Sequence, residues 1–410
     1  MSAPAAAQTA TPTLPNVTAA PTPTGSTASE ASTYTLAPKG FPLGVWRLFP
    51  TLETLGNYDD NVFLSEKDRQ ADYFFRETPQ FLLRSDWSRH EADLYGAASF
   101  YQYTSLNHQD HLDWDAGGDA RLDILRGITL SGNGSYSVEH DANSSPDQPT
   151  DALSPDQFAV TQSNVTFSYN PYRFGLTLGG SLERYDYDPS LLVNGATSSN
   201  SDRNEVLYDS FVKTSFQIFS GYSFFLQGTE NSEHYDLAVD RSGLRRDNDG
   251  YGGDAGFDLL ITNLIRGEIF GGYLKQQFKA PFHDESGLTY GANLDWFPTP
   301  LWTFHLTASR ALNGTVLATA STEDDRTVQV KADFRARSDV VITGAETFLD
   351  SKFDGSPRDD LYTTSQLMLA YYLNHWASVE LSDTFQIRGS TVSGENFDDN
   401  VAMIGLRLQE

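Results

Sequence analysis

A hydropathy alternation of period two, sustained far longer than an ordinary strand, constrains this chain more than any other feature. Between His111 and Ile124, the residues Leu112, Trp114, Ala116, Gly118, Ala120, Leu122 and Ile124 share one face. Asp113, Asp115, Gly117, Asp119, Arg121 and Asp123 share the other. Period two marks a strand, because successive side chains leave it on opposite faces. After a turn at Leu125-Arg126-Gly127 the alternation resumes, with Ile128, Leu130, Gly132, Gly134, Tyr136 and Val138 opposite Thr129, Ser131, Asn133, Ser135, Ser137 and Glu139. These apolar faces run for about 11 to 13 residues, where soluble strands average five or six. One face carries charge repeatedly and the other almost none, which suits a strand set between lipid and water.

The pattern recurs to the end of the chain. Tight turns are predicted at Leu83–His90, Asn170–Arg173, Phe219-Ser220-Gly221, Thr262-Asn263-Leu264, Pro298-Thr299-Pro300, Ser338-Asp339 and Asn374-His375. Between these hairpins lie polar connections near 56–71, 105–110, 141–157, 185–204, 230–249, 275–286, 311–325, 350–360 and 388–398. Short turns thus alternate with long loops. The chain is predicted to be all-β, a transmembrane antiparallel up-and-down barrel of about 18 strands (16–18), with short periplasmic turns and long extracellular loops. A first strand is expected near 44–55 and a last near 399–409. Residues 43–410 form the barrel in this reading, with both termini periplasmic.

Composition narrows the alternatives. Against 28 Lys and Arg stand 55 Asp and Glu, a formal charge of −27. Such a surface repels phosphate backbones, which excludes nucleic acid as a partner. There is no cysteine, hence no disulfide scaffold and no thiolate chemistry. A mean hydropathy of −0.42 with no long apolar run excludes membrane helices but not a barrel, whose lumen-facing residues dilute the average. Residues 1–42, rich in Ala, Pro, Thr and Ser, are predicted to be a disordered periplasmic segment. No charged start followed by an apolar core is visible, so the localisation expected is the bacterial outer membrane with the signal peptide already removed.

If the apolar face meets lipid, the polar face lines water. The expected lumen residues are Asp113, Asp115, Asp119, Arg121, Asp123, Lys213, Asp254, Asp258, Lys331, Asp333, Arg335 and Arg337, joined by Glu268 and Asp295. Acids prevail in the first half and bases gather on 328–337, an arrangement that predicts a field across the lumen. Phe225 and Phe270 fall on the inward parity. Trp87, Tyr172, Phe219, Tyr222, Phe297, Trp302, Tyr372 and Trp376 flank the tight turns and are expected to form an aromatic girdle at the membrane interface. Nothing calls for a metal, a cofactor or a catalytic residue. His305 and Ser309 share a strand face but lie roughly 13 Å apart along it. Asp247-Asn248-Asp249-Gly250 lacks the following Glu of a calcium loop and reads as a turn.

Four segments carry a family resemblance: Asn57-Tyr58-Asp59-Asp60-Asn61-Val62-Phe63, Leu83–His90, Leu182-Glu183-Arg184-Tyr185-Asp186-Tyr187-Asp188 and Asn400–Leu408. Together they resemble the outer-membrane β-barrel porins that accompany exopolysaccharide synthesis and export genes in Gram-negative bacteria. One departure is Glu410, where such barrels end in an aromatic. The resemblance implies a channel, not an enzyme, that passively conducts secreted exopolysaccharide. Its partners would be outer-membrane lipid, polysaccharide cargo and a periplasmic polysaccharide-export protein. The alternative is a general or substrate-selective diffusion porin for small solutes.

Overall fold

The computed structural model describes residues 38–149, 151–261 and 264–410. Most of the segment expected to be disordered therefore lies outside the described residues. The main sheet has 19 strands, all antiparallel, one of which is a three-residue ribbon, Phe41–Leu43, folded onto Trp46–Leu48. The remaining 18 close into a barrel.

In chain order these are β1 (Trp46–Asp59), β2 (Asp72–Ser85), β3 (Glu91–Tyr103), β4 (His111–Leu125), β5 (Ile128–His140), β6 (Gln157–Tyr169), β7 (Phe174–Tyr187), β8 (Glu205–Phe219) and β9 (Tyr222–Tyr235). They continue as β10 (Asn248–Ile261), β11 (Ile265–Phe278), β12 (Glu285–Thr299), β13 (Trp302–Asn313), β14 (Glu323–Arg337), β15 (Val340–Phe353), β16 (Asp359–Tyr372), β17 (Ala377–Ser390) and β18 (Phe397–Gln409). Each pairs with its sequence neighbour, and β1 pairs with β18 from Thr51 opposite Gln409 to Asp59 opposite Val401. The barrel of about 18 strands expected from the alternation is the barrel observed.

Its faces are those of an inside-out protein. Leu122 and Ile124 are 44% and 47% exposed, as are Leu, Phe and Tyr residues around the outer wall. On the inner parity, Glu53, Asp93, Glu380 and Arg407 are buried. Arg407 reaches Glu53 at 3.3 Å and Arg84 reaches Asp93 at 2.9 Å. Apolar groups are left outside because lipid satisfies them, and polar groups are held inside because they solvate one another and the lumen.

Strands are longer than the alternation suggests, so the long connections are shorter: 60–71, 141–156, 188–204, 236–247 and 279–284, for example. Strand ends at the long-loop side carry polar residues on both faces, as in Glu230-Asn231-Ser232-Glu233, and hydropathy cannot distinguish these from loop. Asn248-Asp249-Gly250, read as part of a turn, instead opens β10. The tight turns stand, with small shifts. At Arg126-Gly127 and Ser220-Gly221, Gly127 and Gly221 adopt φ +77° and +83° beside bulges in the preceding strands, the geometry of a short bulged hairpin. Each glycine carbonyl accepts a hydrogen bond from the next hairpin, from the Asn170 and Leu260 amides. A Cβ at Gly221 would sit 2.2 Å from the Leu260 carbonyl oxygen. The turn at 262–264 falls mostly on residues outside those described.

Leu122→Arg should block assembly, since a cation on the lipid face at mid-bilayer costs about 2–4 kcal/mol. Its neighbour Arg121→Leu should leave folding intact. Heat-dependent migration of the refolded barrels on a gel distinguishes the two, and equal effects would contradict the face assignment.

Candidate functional site

The lumen is built from the inward parity of the strands. On β4, Asp113 accepts a hydrogen bond from His140 at 2.7 Å, and Arg121 meets Asp123 at 3.1 Å and Glu91 at 3.8 Å. Lys213 on β8 reaches across β9 to Asp258 at 2.9 Å and to Glu268, with its ammonium 3.8 Å from the centre of the Phe225 ring. Such reach over an intervening strand fits the concave side of the wall. Asp115, Asp119 and Asp254 make no ion pair with the described residues.

The bases of β14 are drawn into local pairs. Lys331 lies 3.7 Å from Asp333, Arg337 lies 3.1 Å from Asp339, and Arg335 also has a partner. His305 bridges Asp295 at 2.5 Å and Asp333 at 3.1 Å. The cationic stretch is thus largely compensated where it stands, which reduces the cross-lumen field expected from the sequence. Phe225 is 1% exposed beneath Lys213 and offers no face to a solute.

At the tight-turn end, Trp87, Tyr172, Phe219, Tyr222, Trp302 and Trp376 are exposed. Trp302 stacks on Phe334 at 4.5 Å and Trp87 leans on Trp46 at 5.4 Å. Phe297 and Tyr372 are placed differently. Phe297 lies 4.9 Å beneath the Arg266 guanidinium, while Trp296 takes the exposed position against Phe304. Phe297 thus keeps the strand's regular inward parity, and the bulge after Trp296 changes the facing only by Thr299. Tyr372 is half-buried, and its neighbour Tyr371 points out.

The long-loop end holds what periodicity does not reveal. Inward aromatic rings line the mouth: Phe74 stacks on Tyr103 at 4.9 Å, Tyr101 on His111 at 4.2 Å, and Phe158 on Tyr187 at 5.0 Å. Arginines lie over several, Arg203 over Tyr187 at 3.8 Å and Arg388 over Phe397 at 4.8 Å. The signal was present as aromatics two apart at strand ends, Tyr101 with Tyr103 and Tyr185 with Tyr187.

Above them the described parts of the β5–β6 connection, 141–149 and 151–156, fold over the mouth as a strap. Its root is closed by the Asp141 amide donating to the Asp156 carbonyl at 2.8 Å, and buried Arg203 binds Asp141 at 2.6 Å. Burial pushes the Asp141 carboxyl up, opposed by the Arg203 charge. Asn143 donates to the Val62 carbonyl and to Gln109, and Arg388 donates to the Ser144 carbonyl at 3.0 Å. Farther along, Asp147 accepts from the Thr315 hydroxyl at 3.1 Å and the Val316 amide at 3.2 Å. Those residues join β13 to β14, eight strands round from where the strap leaves the wall. That connection itself reaches inward to β8 and β9, where a Cβ at Gly314 would sit 2.5 Å from Glu233 and Tyr235, so the two connections meet over the lumen.

A closed antiparallel barrel, apolar outside, polar within and strapped at one end, is a channel of the outer-membrane porin type. Residues 35–410 match the family described as "Putative beta-barrel porin 2", and the chain belongs to that family of β-barrel porins. No curated protein matches it. Solved structures similar to it include Pseudomonas aeruginosa OccK3 (OpdO), 11% identical over 88% of this chain and 96% of that one, TM-score 0.42. Pseudomonas aeruginosa OpdK with vanillate is 10% identical over 88% and 99%, TM-score 0.45. A mutant of the Pseudomonas aeruginosa ferric enterobactin receptor PfeA is 8% identical over 88% and 80%, TM-score 0.46.

Two outcomes follow for the mouth. Asp147→Ala removes the far anchor and should raise the single-channel conductance and its noise, with the barrel's heat-dependent migration unchanged. Asp202, outside the strands, is bound by Arg241 at 2.6 Å. Burial opposes its ionisation, but hydrogen bonds from the Arg241 side chain and backbone outweigh it and lower the pKa below 3.8. That pair therefore stabilises the mouth fully above pH 3.8 and is lost as the pH falls through the lower folded value. Hydrogen exchange of the 236–247 amides, corrected for intrinsic rate, should accelerate below that point, and Asp202→Asn should abolish the dependence.

Proposed function

We propose that the chain is a selective diffusion channel for small, hydroxyl-rich solutes that are neutral or cationic. The strap carries this reading. A connection held by Arg388 and by the β1–β2 and β13–β14 connections narrows the entrance, and a narrowed entrance selects by size before the lumen selects by charge. The lining then disfavours anions: Asp115, Asp119 and Asp254 lack an ion pair among the described residues, whereas the bases Arg121, Lys213 and Lys331 are each paired with acids. A low-dielectric wall focuses such charge into the aqueous path. The half-buried Tyr101, Tyr103 and Tyr187 at the mouth carry both a ring and a hydroxyl, groups suited to a sugar.

The second reading, a conduit for secreted exopolysaccharide with a periplasmic export partner, draws on the same rings. A row of half-buried Tyr around the mouth suits a chain of sugar units moving past as well as a single one. The two readings differ in the size of the solute that the strap admits.

Planar-bilayer recording of the refolded protein separates them. A steady, cation-selective conductance in a KCl gradient, interrupted by mono- and disaccharides and indifferent to long polysaccharide fragments, is the expected result. Interruption by long fragments alone would favour the conduit. Anion selectivity would overturn the assignment of the lining.

A further inference from the structure

The root of the strap holds a cluster of side chains that conduction does not require. His111 opens β4, His140 closes β5, and Asp113 lies between them on the inner side of the mouth. Regular β4–β5 pairing stops at Trp114 opposite Val138, while His140 stays paired with Gln157 on β6, so its ring leans over the unpaired edge onto Asp113. The eight histidines look scattered in the sequence, and only the fold brings these two together.

The geometry is that of a metal site with three protein ligands. One ligand atom from each residue can be chosen so that all lie within 4.8 Å of one another. His111 Nε2 and Asp113 Oδ2 are 3.9 Å apart. An ion about 2.0–2.2 Å from each, as in zinc sites, fits between them after a sub-ångström closure. His140 Nδ1 stands 2.7 Å from the other carboxylate oxygen, and it becomes a ligand once its proton moves to Nε2.

The surroundings favour ligation over a bare ion pair. His111 Nδ1 lies 2.7 Å from the Gln109 carbonyl oxygen. A carbonyl only accepts, so Nδ1 carries the proton and Nε2 keeps its lone pair towards Asp113. A second-shell carbonyl on the remaining ring nitrogen is how ligating histidines are commonly held. The Tyr101 ring stacked on His111 at 4.2 Å fixes its plane. Asp113 remains partly open, with side-chain exposure of 30%, which leaves a coordination position for water.

We propose that His111, Asp113 and His140 bind a single divalent transition-metal ion of the zinc, copper or nickel type. Two imidazoles and one carboxylate suit those ions, whereas magnesium and calcium require mostly oxygen ligands. The ion would also stiffen the strap. Asp141 follows His140 directly, and Gln109 binds His111 through its carbonyl and Asn143 through its side chain. The site stands apart from the solute reading and holds whatever the channel conducts.

Calorimetry of the untagged full chain, refolded in detergent, tests it with zinc chloride as the probe and magnesium chloride as the control. One zinc per chain is expected, with no magnesium heat. His111→Gln and His140→Gln should each weaken zinc at least about tenfold, and His234→Gln on β9 should not. Heat-dependent migration checks that each variant is folded. Absence of zinc binding by folded wild type, or binding that survives both substitutions, would overturn the site. Should a variant fail to fold, copper electron paramagnetic resonance on the wild-type barrel decides instead. Coupling to two nitrogens supports the site, and coupling to fewer than two refutes it.

Discussion

The hydrogen-bond ladder between β1 and β18 is the contact on which the rest of the structure depends. Lipid offers no partner to a backbone amide or carbonyl, and each such group left open there costs several kcal/mol. An open sheet would carry two such edges. Pairing Thr51–Asp59 with Val401–Gln409 removes both. It joins residues from opposite ends of the chain, so the most consequential contact is also among the most non-local. Only after closure do the inner and outer faces become distinct environments.

That constraint explains which parts of the fold were legible from residues alone. The run from Leu112 to Ile124 shows its strand, its faces and its membrane setting together, because lipid and water impose opposite chemistry on alternate positions. Arg126-Gly127 and Ser220-Gly221 show their turns, because a two-residue connection leaves no room for anything else. Legibility fades at the long-loop end, where Glu230–Glu233 and Asn248–Gly250 are polar on both faces yet belong to strands. Beyond the hydrocarbon, backbone pairing continues without a hydropathy rule to mark it. Phe297, expected in the girdle, follows the strand's regular period inward, and the outward place belongs to Trp296.

The mouth was less legible for a different reason. Its features depend on residues distant in sequence: Asp147 with Thr315, Ser144 with Arg388, His111 with His140. A loop's composition does not say where it lands. The lumen charges were visible as types, but their compensation was not, because the partners of Lys213 and His305 lie on other strands. Membership of a β-barrel porin family accounts for the wall; the strap and the inner aromatic rings are legible only in this chain's own contacts.

The length of the strands has a consequence of its own. Strands such as β2 and β7 run for 14 residues. At ~3.3 Å per residue and a tilt of about 40°, that spans about 35 Å along the barrel axis. The apolar band of such barrels is only about 25 Å tall. The remainder stands as a collar clear of the hydrocarbon, and polar strand ends such as Glu230–Glu233 place it on the long-loop side. The strap and the histidines are therefore mounted on rigid sheet rather than on free loops. Water surrounds this collar inside and out, so ions and solutes meet a preformed entrance before they meet the bilayer.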